Sequence, residues 1–468
     1  MTSFPSRSEA PNEAPGVGDR LERLPFTGYQ KKLVRVLALC YLVDAVDLSM
    51  QSFLLAPVSQ DLGLTGAQAG LVASSVFVGM AIGATAAGAI ADRIGRRTVL
   101  VSSMFVWGVA SLLTAFAWDL ESFAVLRLIT GIGLGAELPV AFTLLAEFVP
   151  AARRARANSQ LVVLGAFGVV VSNFIAWGVV SVAGPSLGWR LMFGVMFAVA
   201  GLALYVRRSF PESPRWYESR GEHAQADAVM SRFEQQVEAA HGAPLPVPEP
   251  RVAERQALPA QPGLGALFAR ENLRRTAFGW AMWLMVMFPF FGISTWVGKL
   301  LVDRGMSVAS SIAAGALMGL AALPSIYLAG RLMDRIGRKL TLAAALVLVT
   351  VGALAYGYAT GFWVVVGFGA VMQMGLQSIA TALNTYTPEL FPTQVRATGV
   401  GTAQTLGRAA AVVAPISVPL IVGLWGYTGT FVTFAGLFAI AAVIVLVFGP
   451  ESRARSLEEL TQPIDERR

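Results

Sequence analysis

Twelve apolar runs, each near the length that crosses a bilayer as a helix, divide this chain almost from end to end. A hydrocarbon core about 30 Å thick takes roughly 20 residues at the helical rise. Runs of that size lie at 36–57, 68–91, 99–117, 122–145, 158–181, 189–207, 276–300, 309–331, 341–359, 362–386, 399–424 and 429–448. With 55% of 468 residues apolar and 14% charged, what remains cannot cover a water-facing surface. The chain therefore reads as an all-α polytopic membrane protein embedded in a lipid bilayer. Basic residues set its orientation. If the termini and even-numbered connections share one face, all but five of the 36 Lys and Arg lie there. Arg190, Lys299 and Arg304 fall at the opposite face, and Arg127 and Arg408 fall inside spans. Both termini are expected in the cytoplasm, with the protein in the cell (inner) membrane. Residues 1–35 are polar, with no apolar core before a cleavage site, so no cleaved signal peptide is expected.

Composition excludes other classes. A net charge of +7 suits a nucleic-acid partner only when gathered on one solvated face, whereas here the basic residues alternate with apolar runs, so no nucleic acid is expected. The single Cys40 leaves no disulfide scaffold, and His223 and His241 both fall in the one long polar stretch. Neither a metal nor a cofactor is expected. A phosphate-binding Gly-x-x-x-x-Gly-Lys-Ser/Thr loop is missing and no catalytic set clusters, so the chain reads as neither ATP-driven nor an enzyme.

The sequence repeats. Asp92-Arg93-Ile94-Gly95-Arg96-Arg97 returns as Asp334-Arg335-Ile336-Gly337-Arg338-Lys339, and Glu147-Phe148-Val149-Pro150 with Arg154 returns as Glu389-Leu390-Phe391-Pro392 with Arg396, both at an offset of 242. Pro211-Glu212-Ser213 and Pro450-Glu451-Ser452 close the sixth and twelfth runs. Two markers at one offset indicate a parallel duplication of six-helix halves. The layout is a tail over 1–35, a bundle over 36–207, a linker with short helices over 208–275, a second bundle over 276–448 and a tail over 449–468. The linker carries an amphipathic stretch near Gln225–Val237 and a Pro-rich tract from Pro244 to Pro250.

The intramembrane charges escape the repeat. Shifted by 242, Asp44 meets Val286, Asp47 meets Pro289, Arg127 meets Gly369 and Glu137 meets Ile379, while Arg408 answers to Ala166. Ionisable groups at this depth are costly unless paired or hydrated, and they mark ion or substrate paths. Asp44 and Asp47 share a helix face, with Gln51 a turn further on. By helical rise, Asp47 lies about 17 Å and Arg408 about 14 Å from the cytoplasmic ends of their spans.

These loop motifs resemble those of the major facilitator superfamily, across essentially the whole chain. Pro211-Glu212-Ser213-Pro214-Arg215-Trp216 is similar to its sugar-porter and organic-ion branches. The run Arg127-Leu-Ile-Thr-Gly131-Ile-Gly133-Leu-Gly135-Ala-Glu137-Leu-Pro139 looks most like bacterial niacin transporters and aromatic-acid:proton symporters. The resemblance implies a twelve-helix secondary carrier whose cytoplasmic gate uses Asp92, Arg93, Arg97, Glu147, Arg154, Glu212, Asp334, Arg335, Glu389 and Arg396. Read alone, the basic members are equally positive-inside topology signals. It further implies that Asp47 or Asp44 opposes Arg127, as first- and fourth-helix residues do in proton-coupled sugar porters. Without an intramembrane histidine, proton coupling falls to Asp44, Asp47 or Glu137. The alternatives are a static ion pair and a structural Glu137 between Gly135 and Pro139.

Arg408 resembles the eleventh-helix position where organic anion transporters carry arginine. A guanidinium there suits a carboxylate; pairing with Asp44 is the alternative. Pocket-lining candidates are Phe288, Phe291, Phe142, Trp107, Gln373 and Gln377. Most of the seventh-run aromatics, Trp280, Trp283, Phe288, Phe290, Phe291 and Trp296, are expected to face lipid or the interface. Phe290-Phe291-Gly292 stands where sugar porters place paired glutamines, which counts against a hexose. The fifth run lacks the Gly-Pro of drug antiporters. The expectation is a monomeric carrier that imports a small organic anion, an aromatic carboxylate such as nicotinate, with protons. The rivals are an organic-cation or polyspecific carrier using the acidic first helix, and a substrate sensor on a transporter scaffold.

Overall fold

The structure is a computed structural model, described over residues 16–247, 264–392 and 395–450. The first fifteen residues, the tract from 248 to 263, Glu451, Ser452 and the C-terminal tail lie outside the described residues. The first bundle contains α1 (Val17–Glu22), α2 (Gly28–Asp61), α3 (Gly66–Ile94), α4 (Arg96–Thr114), α5 (Leu120–Phe148), α6 (Ala151–Val195) and α7 (Ala198–Ser209). Two linker helices follow, α8 (Pro214–Ser219) and α9 (His223–His241), the latter covering the amphipathic stretch. The second bundle comprises α10 (Arg270–Asp303), α11 (Val308–Leu320), α12 (Ala322–Ile336), α13 (Arg338–Tyr358), α14 (Phe362–Leu390) and α15 (Arg396–Phe448).

These make twelve crossings. Spans one to four are α2 to α5. Helix α6 turns at Gly184, so it supplies the fifth span and, with α7, the sixth. Helix α10 is the seventh, α11 and α12 together the eighth, α13 the ninth and α14 the tenth, while α15 turns at Gly426 to form the eleventh and twelfth. Capping boxes start the second and fourth spans, where Thr65 pairs with Gln68 and Asp119 with Ser122.

The duplication is built into the turns. Glycines with positive φ recur at the 242 offset, at Gly63 and Gly305, Gly95 and Gly337, and Gly184 and Gly426. At Gly95 and Gly337, φ of 99° and 93° lets the chain leave one span and begin the next without a free residue, a conformation that a Cβ would strain. Each half has its own apolar core. Trp107, Leu134, Leu144 and Phe148 belong to the first, and Val349, Leu376, Tyr386 and Phe438 to the second. Large apolar side chains such as Phe116, Val182, Trp363 and Leu424 stay exposed, as a lipid-facing surface requires.

The face that carries α8, α9 and the repeated loops is called here the basic face, and its opposite the far face. The halves meet toward the far face. Ser52 donates to Ser294 O, its own repeat mate, and Ser74 Oγ donates to Val412 O at 2.7 Å. Glycine permits this closeness: a Cβ at Gly70 would lie 2.7 Å from Pro415 O, and one at Gly298 3.2 Å from Ser52 O. Toward the basic face Thr143, Asn384, Thr405 and Arg408, polar residues inside spans, are exposed. The halves therefore close on the far side and open on the basic side.

Candidate functional site

Between the halves lies a cavity of about 320 Å³, walled by the first, second, fifth, seventh, eighth and tenth spans. Its aromatic wall is Phe77, Phe290 and Phe291, with ring centroids 5.3 Å apart from Phe77 to Phe291 and again from Phe291 to Phe290. Gln373 and Gln377, one helical turn apart on α14, supply amides, and Ser49, Gln51, Ser52 and Asn173 add polar groups from the first half. An apolar wall with a few convergent polar groups is the usual make-up of a small-molecule site.

Other candidates stand elsewhere. Trp107 is fully buried and donates its indole N–H to Glu137 Oε2 at 2.7 Å, so it orients an acid instead of lining the cavity. Phe142 packs edge-on against Tyr41, and Phe288 against Phe434 of the twelfth span. The expectation that most aromatics of the seventh span face lipid is overturned. Trp280, Trp283 and Trp296 donate their indole N–H groups to Thr402, Thr387 and Pro415 O, knitting the seventh span to the tenth and eleventh. A buried indole seeks an acceptor, and neighbouring spans provide one.

Asp47 and Arg127 form a buried ion pair. Arg127 gives two nitrogens to the two carboxylate oxygens, at 3.2 and 3.0 Å. Ser111 donates to Asp47 at 3.0 Å, Gln51 accepts from Arg127 at 3.1 Å, and the Phe193 ring lies 5.1 Å from the guanidinium carbon. Every partner needed to hold two charges out of water is present. Asp44, three residues away, instead has the Glu137 carboxyl of the fourth span as its neighbour. Neither Asp44 oxygen meets a donor, and Glu137 Oε1 is equally bare.

Arg408 does not line the cavity and is exposed, without an ion pair to Asp44. It precedes Pro415 by seven residues, nearly two turns, and so shares the helix face that meets the second span. Gly407 abuts Trp283 and Met287, one turn short of Phe290, where the cavity begins. By helical rise, Arg408 thus stands about 5 Å from the level of the cavity toward the basic face.

The repeated loops hold themselves by ion pairs within each half. Arg96 binds Asp92 at 3.1 Å and Glu147 at 3.5 Å; at the offset of 242, Arg338 binds Glu389 at 3.2 Å. Arg96 and Arg338 lie inside the repeated motif yet were not among the gate residues expected from it; the shared offset is the signal that finds them. Glu212 accepts from the backbone N–H groups of Arg97 and Thr98, so its charge caps the positive start of the third span. Arg97 itself reaches Arg207 O, Arg154 binds Glu22 at 2.9 Å, and Arg396 reaches Phe391 O at 3.3 Å. Arg93, Asp334 and Arg335 are exposed at the loop surfaces.

This architecture has known counterparts. Residues 45–463 match the family described as sugar (and other) transporter. The niacin transporter NiaP of Acinetobacter baylyi is 32% identical over 94% of this chain and 98% of its own, and a gallate transporter of Pseudomonas putida is 30% identical over 97% and 99%. The xylose transporter XylE of E. coli, in an inward open conformation, superposes with a TM-score of 0.70 at 18% identity, covering 92% of this chain and 99% of that one, which is a likeness of fold. With twelve spans in two parallel halves around a central cavity, and a match along nearly its full length, the chain belongs to the sugar (and other) transporter family of the major facilitator superfamily and is a multi-pass membrane transporter.

Proposed function

We propose that the protein imports a small aromatic carboxylate, with nicotinate as the type ligand, by proton symport through alternating access, from the cell membrane with both termini cytoplasmic. The observation that carries the reading is the cavity between the halves. Phe77, Phe290 and Phe291 offer faces to a flat ring, Gln373 and Gln377 offer donors and acceptors to a ring heteroatom or carboxylate, and Arg408 waits at the mouth with no carboxylate of its own. In this state the basic, cytoplasmic side is open. Closing it brings the second and eleventh spans together along the line that Arg408 shares, so the guanidinium meets the ligand's carboxylate as the cavity seals. The kinship with niacin and gallate transporters supports the ligand class.

Titration of the purified protein with nicotinate and nicotinamide tests this reading. Nicotinate is expected to bind and the uncharged amide poorly. Arg408→Lys should weaken nicotinate by about ten- to a hundredfold, because a point charge replaces a two-pronged donor. Equal binding of acid and amide to the natural protein would sink the assignment. Uptake into proteoliposomes separates a carrier from a sensor.

A further inference from the structure

Among the oxygen atoms buried in the first bundle without a hydrogen-bond donor are both of Asp44 and the Oε1 of Glu137. Asp44 is 2% exposed and Glu137 fully buried, and the two carboxyls face each other. Among the described residues, the groups around them offer no free cation. From the first span come Asp47, Cys40 and Tyr41; from the third, the Trp107 indole, already on Glu137 Oε2, and Ser111, already on Asp47. Arg127 of the fourth span is committed to Asp47 and Gln51, and the fifth span sets Gly165 against Tyr41 and Ala45 and Gly168 against Leu42. Two like charges at this range, without a counter-ion and away from water, are not sustainable. One proton removes a charge and supplies the missing donor, as in other paired carboxyls.

We propose that Asp44 and Glu137 hold a single proton between them and that this dyad, separate from the Asp47–Arg127 ion pair, is where the carrier takes up and returns its coupling proton. The inference rests on the symport reading above and gives that reading its proton site. Loading adds one proton to a carboxylate oxygen, and the resulting O–H donates to the facing carboxylate; release reverses the step in the opposite state of the cycle, where water reaches the pair and two charges can be borne. Asp47 has no such vacancy, since Arg127 and Ser111 occupy its oxygens. Ala45, the residue after Asp44, and Leu48, one turn further on, line the cavity, so the dyad's own span connects it to that wall. Trp107 is a positioning residue that holds Glu137 in place. The second half is built with apolar residues in the corresponding places: at the 242 offset, Asp44, Trp107 and Glu137 become Val286, Val349 and Ile379.

Infrared spectroscopy of the purified protein in liposomes tests the proposal without any cargo, so its result stands apart from the nicotinate experiment. A pH-dependent band of a buried protonated carboxyl is expected in the natural protein. Glu137→Gln keeps an acceptor for Trp107 and supplies Asp44 with a permanent N–H donor, so the band should vanish; Asp44→Asn should abolish it in the same way, and Asp47→Asn should leave it. Either of the first two variants alone decides the matter if the other does not fold. With nicotinate as cargo, one pH unit should drive about tenfold accumulation at one-for-one coupling. Glu137→Gln should retain exchange and lose accumulation. Survival of the band in Glu137→Gln or Asp44→Asn, or its loss in Asp47→Asn, overturns the assignment.

Discussion

At the scale of single residues, the Asp47–Arg127 pair shows how a buried charge is tolerated and how asymmetric its loss must be. Asp47→Ala would leave a guanidinium in a dry site with only Gln51 and the Phe193 ring to meet it. Such a removal costs about 3–5 kcal/mol, whereas replacing both partners by apolar groups is close to neutral. Thermal unfolding should therefore show Asp47→Ala markedly less stable than the natural protein, and Asp47→Ala with Arg127→Met restored toward it. A double variant as unstable as the single one would mean that the pair's hydrogen bonds, and not its charges, dominate. The sequence alone made the special status of Asp44, Asp47, Arg127 and Glu137 legible, because duplication exposes whatever it fails to copy. It left open which acid meets which base. That depends on the rotation of the first span against the third and fourth, and so do the Trp107 bond to Glu137 and the place of Asn173 in the cavity wall.

At the scale of elements, the first bundle is drawn tight where the second is opened. The second span carries Gly79 and Gly83, the fourth Gly131 and Gly135, each pair one turn apart. A Cβ on any of the four would fall 2.0–2.2 Å from a carbonyl oxygen of the opposing helix. This is the close backbone approach that small residues four apart permit in membranes. Shifted by 242, Gly79 and Gly83 become Ala321 and Ser325, and Gly131 and Gly135 become Gln373 and Gln377. In the second half the glycine seam is thus replaced by the cavity's amides, and the eighth span breaks at Ala321, beside the cavity-lining Ala322. Gly83→Ala is expected to destabilise the first bundle by about 1–3 kcal/mol, since backbone must shift to admit the methyl. A lowered melting temperature in detergent, with affinity for the proposed nicotinate ligand kept in the folded fraction, is the outcome to look for. Span positions were readable from hydropathy to within a few residues; the glycine seam was not, because nothing in one helix names its partner.

At the scale of the whole molecule, the far-side seal is the contact that the proposed alternating-access cycle would have to break. It depends on small residues: Gly70 lies against the backbone of Pro415, Gly66 against the Pro419 ring and Gly319 near Asn173. None of the ion pairs described in the repeated loops crosses between halves, so on the basic side those pairs stiffen each half, and under the proposed cycle the halves are expected to move as units. A large side chain at Gly70 should wedge the far face open and shift the population away from the state described here, without touching the cavity or the dyad. Glu121 and Thr360 are exposed at the far ends of opposite halves, and the native Cys40 is buried, so paired spin labels at Glu121→Cys and Thr360→Cys can report the separation cleanly. Gly70→Leu is expected to move the distance distribution to longer values, and under the proposed cycle a state whose far face is held open should lose transport because the cycle cannot close. An unchanged distribution in Gly70→Leu would show that the seal yields locally and that the halves do not move as rigid units about this contact.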